Sequence, residues 1–373
     1  MTNKWQTKRL DQVSIVTMGQ SPSSSSYNNQ GKGVPFFQGK PSNIDSFGVA
    51  IPNQYTTEPT KVVEAGTALM TVRAPVGDIF ISPVDVCIGR GLSGIKAEPD
   101  VSQKYLNYQL QFASQQFHTL SQGSTFTAIN STDLRGIQIG IPDINAQKKI
   151  ADILSSIDEA IQKTDQIILK SEELKNGLMN ELLTRGIGHK KFKKTKLGEI
   201  PENWEVMKFE DFAVLQRGFD LPVQRRTKGE YDLITSNGIT DTNNEFKVSG
   251  PGVVTGRSGT LGKVFYVENN FWPLNTTLYI KDFHRNLERF AYYKIQHIDL
   301  SRYGTGTGVP TLNRNNVHKE LIAVPNKSEQ KKIVEMLSSV DIKILYNNQK
   351  KVSLLKLKSG LMYDIFNQKV QIK

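Results

Sequence analysis

The stretch IPDINAQKKIADILSSID at 141–158 returns at 324–341 as VPNKSEQKKIVEMLSSVD, and the two align without a gap at an offset of 183 positions. Gln147, Lys148, Lys149 and Ile150 answer to Gln330, Lys331, Lys332 and Ile333. Further on, Leu174, Lys175, Gly177, Leu178 and Met179 answer to Leu357, Lys358, Gly360, Leu361 and Met362. Whatever the first copy builds, the second must build again. That requirement narrows the possible folds more than any other feature of the chain.

Both copies read as helices. Each follows a proline, Pro142 or Pro325, and then a polar residue placed to cap, Asn145 or Ser328. In the first copy Ile150, Ile157, Thr164, Ser171 and Leu178 fall seven apart, with Ile153, Ala160, Ile167 and Leu174 expected as the second line of the seam. In the second copy Ile333, Val340, Asn347, Leu354 and Leu361 form the matching series, with Met336 and Leu357 beside it. A narrow apolar stripe at heptad spacing marks a helix that pairs with another helix. The pairing residues are expected to be Ile150, Ile157, Thr164, Leu174, Leu178, Ile333, Val340, Asn347, Leu357 and Leu361. About 40 residues at 1.5 Å each make a rod of roughly 60 Å. Two buried helices of a bundle would be the plainer reading, but nearly every position off the seam is polar. Thr164 and Asn347 sit at matched places near mid-rod, where antiparallel pairing would bring them together. Gly177 and Gly360 each cost about 1 kcal/mol in a helix interior, and their matched placement predicts the close approach of another backbone.

The repeat extends outside the rods. WQTKRLDQVSIVTMG at 5–19 parallels WEVMKFEDFAVLQRG at 204–218 at an offset of 199. GTALMTVRAPVGDIFIS (66–82) resembles GVVTGRSGTLGKVFYVE (252–268), and GSTFTAINSTDLRGIQIGIP (123–142) parallels GTGVPTLNRNNVHKELIAVP (306–325) at 183 again. The second globule is therefore about 16 residues shorter. The expected plan is a globule at 1–143, a spacer helix at 144–187, a basic linker at 188–200, a second globule at 201–325 and a C-terminal spacer helix at 326–373. Folding the rods against each other gives a pseudo-twofold particle from one polypeptide.

Strand-like runs occur in both globules: ALMTVR, IFISPVDVCI and IQIGI in the first, GVVTGR, KVFYV, TTLYIK and LIAV in the second. Gly, Pro, Asn and Ser clusters separate them. Helical stretches are expected near 103–120 and 286–300. The fold class is thus α+β: two mixed, mostly β domains separated by two long helices pairing as an antiparallel coiled coil.

A formal net charge of +11 invites a nucleic-acid reading, yet its distribution does not support one by itself. Residues 1–140 carry +2, 141–187 carry −2, the run HKKFKKTK carries +5, 197–323 balance to zero and 324–373 carry +6. The long globular regions are nearly neutral, so the charge alone is a poor argument for DNA. The single cysteine, Cys87, excludes an internal disulfide framework and a cysteine-rich zinc site, and is expected in the core. The first residues lack the apolar core of a signal peptide, and no window approaches a membrane span. A cytosolic, cytoplasmic protein is expected.

The loops carry more information. MGQSPSSSSYNNQGKGVPFFQGK (18–40) reads as a long, flexible, polar connection, rich in the side chains that reach groove edges and phosphates. Its counterpart LQRGFDLPVQRRTKG (215–229) carries Arg217, Arg225, Arg226 and Lys228, and Arg73 and Arg257 fall in matched loops. The candidate DNA-binding residues are Ser21, Ser23, Gln38, Lys40, Arg73, Arg90, Arg217, Arg225, Arg226, Asn237, Arg257 and Arg314. Any one of them taken alone reads more simply as an ordinary solvated side chain. Recurrence at equivalent places in two diverged copies favours the functional reading.

Catalytic patterns fail on spacing. Asp143 with Glu173 and Lys175 would make a nuclease motif, but a helical rod separates them. GTGTG at 304–308 lacks the rest of a dinucleotide fingerprint. No phosphate-binding loop and no Asn-Pro-Pro-aromatic tetrapeptide of adenine methyltransferases occurs. His118, His189, His284, His297 and His318 are scattered without ligand spacing.

The two QKKI…LSS[IV]D rods, the GEIPENWE entry at 198–205 and the G…[IL]N…[IV]P exits together resemble the specificity subunit of Type I restriction–modification systems over the whole chain. The resemblance implies two target recognition domains, each reading half of a bipartite DNA site, on paired helices that dock two methyltransferase subunits. It implies a non-catalytic chain that binds no cofactor itself, S-adenosylmethionine, ATP and Mg being expected on the methyltransferase and restriction or translocase subunits. The physical reading agrees: two unlike readers on a rigid spacer would recognise two unlike half-sites, spaced on the order of one helical turn of roughly 10 base pairs. Near-neutral globules imply modest affinity alone, with partners supplying phosphate contacts. A stand-alone sequence-specific DNA-binding protein and a coiled-coil protein-interaction scaffold are the alternatives.

Overall fold

The computed structural model describes residues 5–44, 48–121, 128–305 and 310–370, with the side chains of 115–121 outside that set. Parts of the two exit stretches opening at Gly123 and Gly306, part of the 304–308 glycine run and the His118 side chain lie outside the described residues. The chain divides into two compact units: unit 1 is Met1–Ile167 with Asn347–Lys373, and unit 2 is Ile168–Tyr346. The main helices are α1 (Gln103–Ser121), α2 (Ile144–Thr184), α3 (Glu288–Ile298) and α4 (Lys327–Phe366). Unit 1 thus holds the start of α2 and the end of α4, and unit 2 holds the converse halves.

Within each unit the two long helices run antiparallel. In unit 1 Asp158 pairs with Lys358 at 2.7 Å and Asp165 with Lys351 at 2.6 Å, so a heptad forward on one helix is a heptad back on the other. In unit 2 the mate of the first pair appears, Lys175 with Asp341 at 2.7 Å. The expected seam line Ile150, Ile157, Thr164, Ser171 is buried, as are Ile333, Val340 and Asn347, while Leu178, Leu354 and Leu361 are half-buried.

The second seam line differs from expectation by one residue. Leu154 and Ile161 are buried, and Lys175 points inward, whereas Ile153, Ile167 and Leu174 are 40, 38 and 51% exposed. On α4 the buried residue is Leu337, and Met336 and Leu357 are 40 and 50% exposed. Leu174 and Leu357 are therefore not seam residues. The line uses Lys175 and Lys358 instead, whose ammonium groups are neutralised by Asp341 and Asp158. Two further expectations fail. Asp143 and Asn326, not Asn145 and Ser328, cap the helices, accepting from the amides of Asn145 and Ala146 and of Glu329 at 3.0 Å. A Cβ added to Gly177 or Gly360 would meet nothing within 4 Å, so neither marks a close backbone approach.

Each globule repeats one frame. Unit 1 has a four-stranded antiparallel sheet in the order 14–18, 92–97, 68–71, 79–81; unit 2 has 214–217, 277–282, 252–256, 264–267. A second sheet contains one parallel pair in each, Val34–Phe37 with Val86–Ile88 and Tyr231–Thr235 with Phe271–Pro273. It has five strands in unit 1 and three in unit 2. The run IFISPVDVCI is two strands, because Pro83 interrupts it and its halves join different sheets. Residues 18–40, expected as a flexible connection, contain the 3-10 turn Ser24–Ser26 and two strands, with Tyr27 packed on Phe36 at 4.7 Å between ring centroids. The run expected as a basic linker is a hairpin, Phe192–Thr195 with Gly198–Pro201.

The repeated glutamine of QKKI ties each globule to its long helix. Gln147 accepts from the Ser102 amide at 2.9 Å, just ahead of α1, and donates to the Pro142 carbonyl; Gln330 accepts from the Leu287 amide at 3.0 Å, ahead of α3, and donates to the Pro325 carbonyl. A helix start needs partners for its free amides, and one buried amide side chain serves two backbones. The same α-helices meet at a repeated polar cluster. The Tyr108 hydroxyl donates to Asp158 at 2.7 Å and that of Tyr293 to Asp341 at 2.6 Å, with Lys358 and Lys175 over the respective rings. Burial, then the adjacent carboxylate, raises the pKa of both tyrosines. Trp5, Tyr105 and Phe366 close the unit 1 core edge-to-face.

The revised seam makes opposite demands on two leucines of the same helix. Leu154→Ala should destabilise the protein by roughly 2–5 kcal/mol, whereas Leu174→Ala should change stability by about 0.5 kcal/mol or less. Denaturant titration of the two variants checks this.

Candidate nucleic-acid interface

In both globules the first long strand ends on a glycine that lies against a tight turn. A Cβ on Gly19 would come within 2.2 Å of the Gly89 carbonyl oxygen, and one on Gly218 within 2.2 Å of the Leu274 oxygen. The surrounding backbone bonds match: Gly19 to Leu92 and Gln20 to Ile88 in unit 1, Gly218 to Thr277 and Phe219 to Pro273 in unit 2. Only glycine permits that approach. The matched bonds align the residues next to the crossing, with Ser21 answering to Asp220 and Arg90 to Asn275.

Unit 1 brings together three of the expected residues. Gln38 Nε2 donates to Ser21 Oγ at 3.0 Å, and the Arg90 amide donates to the same oxygen at 3.2 Å. The Arg90 side chain is exposed, and among the described residues no acceptor meets its guanidinium. Ser23 bonds Ser25 at 2.8 Å on the adjoining turn. Lys40 is tied to Asp78 at 2.9 Å, and Arg73 is exposed at a bridge to Ala128.

Unit 2 fills the same junction with charge. Arg217 reaches both Asp220 oxygens at 3.0 and 3.1 Å, Asn275 Nδ2 donates to Asp220, and Arg257 donates to the Asn275 carbonyl at 3.2 Å. Asp220 and Asn275 were absent from the expected set. Their sequence signal is their alignment with Ser21 and Arg90, which needs two different offsets. Arg73 and Arg257 prove not to be equivalent. Arg257 takes the place of Val72, each donating its amide to the turn (Val72 to Gly91, Arg257 to Thr276), and Arg73 takes that of Ser258. Arg225 is exposed and Arg226 half-buried, donating to the Leu221 carbonyl at 3.3 Å; the Asn237 amide donates to Thr235 at 3.2 Å. Arg314 donates to the Leu215 carbonyl at 3.3 Å beside His318, as Arg135 does to Val16 at 2.8 Å, and so braces the strand.

No described group of three or more His, Cys, Asp or Glu side chains is placed to hold a metal. Asp143 of the discarded nuclease pattern caps α2, and Lys175 is occupied by Asp341. Cys87 is buried. Among the described residues no helix is long and apolar enough to cross a membrane.

One buried cation in unit 2 lies apart from the junction. Lys294 on α3 donates to the Leu183 carbonyl at 3.0 Å near the end of α2, and burial pulls its pKa down to about 8. Below that pH the folded state must hold a desolvated ammonium; above it the amine is neutral, while the unfolded chain still binds the proton. Stability attributable to Lys294 therefore rises with pH between about 8 and 10. The unfolding free energy of the wild type relative to Lys294→Met should increase by roughly 2 kcal/mol from pH 7 to pH 10, measurable by denaturant titration at each pH.

The family model for the Type I restriction modification DNA specificity domain matches this chain twice, at residues 2–172 and 201–356. A protein of Methanocaldococcus jannaschii assigned to the MjaX type I restriction enzyme as specificity subunit is 44% identical over 172 residues, 45% of this chain; the match spans 40% of that relative's length. The specificity subunit of the type I restriction enzyme MjaIX from the same organism is 23% identical over 94% of this chain and 90% of its own. Among solved structures, the S subunit of a Type-I restriction-modification system from M. genitalium aligns with TM-score 0.66 and 16% identity, covering 99% of this chain and 97% of that one. A chain from a structure of complex assembly and conformational transition in the type I R-M system aligns with TM-score 0.61 and 14% identity, covering 97% of each. The fold defines a class of chain in which one α+β globule occurs twice, each copy packed on a pair of long helices. The chain belongs to the Type I restriction modification DNA specificity family.

Proposed function

We propose that this chain is the non-catalytic DNA-specificity subunit of a Type I restriction–modification complex, each unit reading one half of a bipartite target. The observation that carries the reading is the pair of junctions built on the same backbone crossing, with Ser21, Gln38 and Arg90 in unit 1 and Arg217, Asp220, Asn275 and Arg257 in unit 2. A shared frame with exchanged hydrogen-bonding groups is what two readers of unlike sequences require. Arg90 suits guanine, Gln38 suits adenine, and the Asp220 carboxylate suits an exocyclic amine.

The features that stay alike point to a partner taken twice. The Tyr–Asp–Lys cluster recurs, and a cleft opens beside it in each unit. It is about 250 Å³ by Tyr108, Asp158 and Gln111, and about 600 Å³ by Lys175, Asp341 and Gln296. Outward apolar side chains recur at matched positions on the two long helices, Ile153 with Met336, Leu169 with Val352 and Leu174 with Leu357. These support docking of two methyltransferase subunits, with restriction or translocase subunits joining the assembly. S-adenosylmethionine, ATP and Mg would belong to those partners, and this chain would hold none of them. The work would take place in the cytoplasm, where the cell's DNA is.

Co-expression with its methyltransferase should place methyladenine at one bipartite motif, read out by single-molecule sequencing of host DNA. Absence of any bipartite motif, with the complex assembled, overturns the reading. Arg90→Ala should relax one position in one half of that motif, at a cost of about 1–3 kcal/mol in binding, and leave the other half unchanged.

A further inference from the structure

The two junctions differ most in one turn. In unit 1 the 3-10 turn Ser24–Ser26 is led by Ser23, whose carbonyl accepts from the Ser26 amide at 3.0 Å. In unit 2 the turn Val223–Arg225 is led by Pro222, whose carbonyl accepts from the Arg225 amide at 2.9 Å. The backbones match; the side chains do not. Where unit 1 presents serines, unit 2 presents Pro222 and Val223.

Val223 is 69% exposed, the most exposed large hydrophobic among the described residues. Nothing in unit 2 gains from it there, since serine serves the same turn in unit 1. The tip is nonetheless held firmly. Leu221 packs beneath it against Leu233, Trp272 and Leu274, and the Arg226 amide and guanidinium bond back to Val223 (3.1 Å) and Leu221 (3.3 Å). Arg225 and Lys228 stand exposed beside it, and Glu230 is the only acidic residue in 221–230. A held apolar point beside exposed cations is complementary to a base step beside its phosphates. Apolar side chains of this kind enter stacked bases and part them, while Arg and Lys take the backbone.

We propose that Pro222–Val223 is a wedge that enters a base step in the half-site read by unit 2 and unstacks it, whereas the serine turn of unit 1 reads its half-site without unstacking. The proposal rests on the reading that each unit contacts one half-site.

The test uses the full chain assembled with its methyltransferase and duplexes carrying the motif found by methyladenine sequencing, with 2-aminopurine placed at successive positions. Wild type should raise emission at a step in one half-site, away from the methylated adenine. Val223→Ser should abolish that rise and weaken binding about ten-fold while the same motif is still methylated. The same rise in Val223→Ser, or no rise away from the methylated adenine while specific binding persists, overturns the wedge alone. A complex that binds and methylates no bipartite motif overturns the function reading and the wedge with it.

Discussion

Two forty-residue helices can pair in many registers, and charge placed inside the seam selects one here. Asp158 with Lys358 and Asp341 with Lys175 are partly or wholly buried. A slip of one heptad would leave Asp341, Lys175 and one of Asp158 and Lys358 without a partner in a poorly solvated seam, the remaining ion meeting Lys351 or Asp165. Removing one member of such a pair costs about 3–5 kcal/mol. Purely apolar stripes would pay little for the same slip. Tyr108 and Tyr293 add a third member to each cluster and carry the register from the long helices into the globules.

The glutamines do the same at the helix starts. Because Gln147 and Gln330 bond both the chain entering their own helix and the start of α1 or α3, each globule is indexed to a fixed turn of its long helix. Strand pairing then carries that order outward: residues 6–9 pair with 138–141, and 205–208 with 321–324, next to the helix entries. The order ends at the glycine crossings, where the loops begin to differ. Beyond them the second sheet has five strands in unit 1 and three in unit 2.

How much of this could be read from the sequence depends on the kind of interaction. The line Ile150, Ile157, Thr164 and Ser171 was legible because heptad spacing survives two polar members. Its companion was misplaced by one residue because Ile153, Ile167 and Leu174 look better as seam residues than Lys175 does. Only the partner Asp341, far along the chain, makes a lysine acceptable inside. Likewise the plan of two β-rich globules was visible, but the Arg257–Val72 equivalence was not, since backbone pairing rather than residue type defines it. Of the expected contact residues, Ser21, Gln38 and Arg90 converge, whereas Arg314 braces a strand and Lys40 is held by Asp78. Sequence shows which side chains could bond a base, not which are already engaged.

Gly19 and Gly218 leave no room for even one methyl group at the base of their loops. A recognition head built this way cannot tilt gradually toward a new target; its mounting is closed to adjustment. Change is left to what stands beyond the crossing, where the two copies differ both in side chains and in the strand count of the second sheet. The two copies keep one mounting while what it carries diverges.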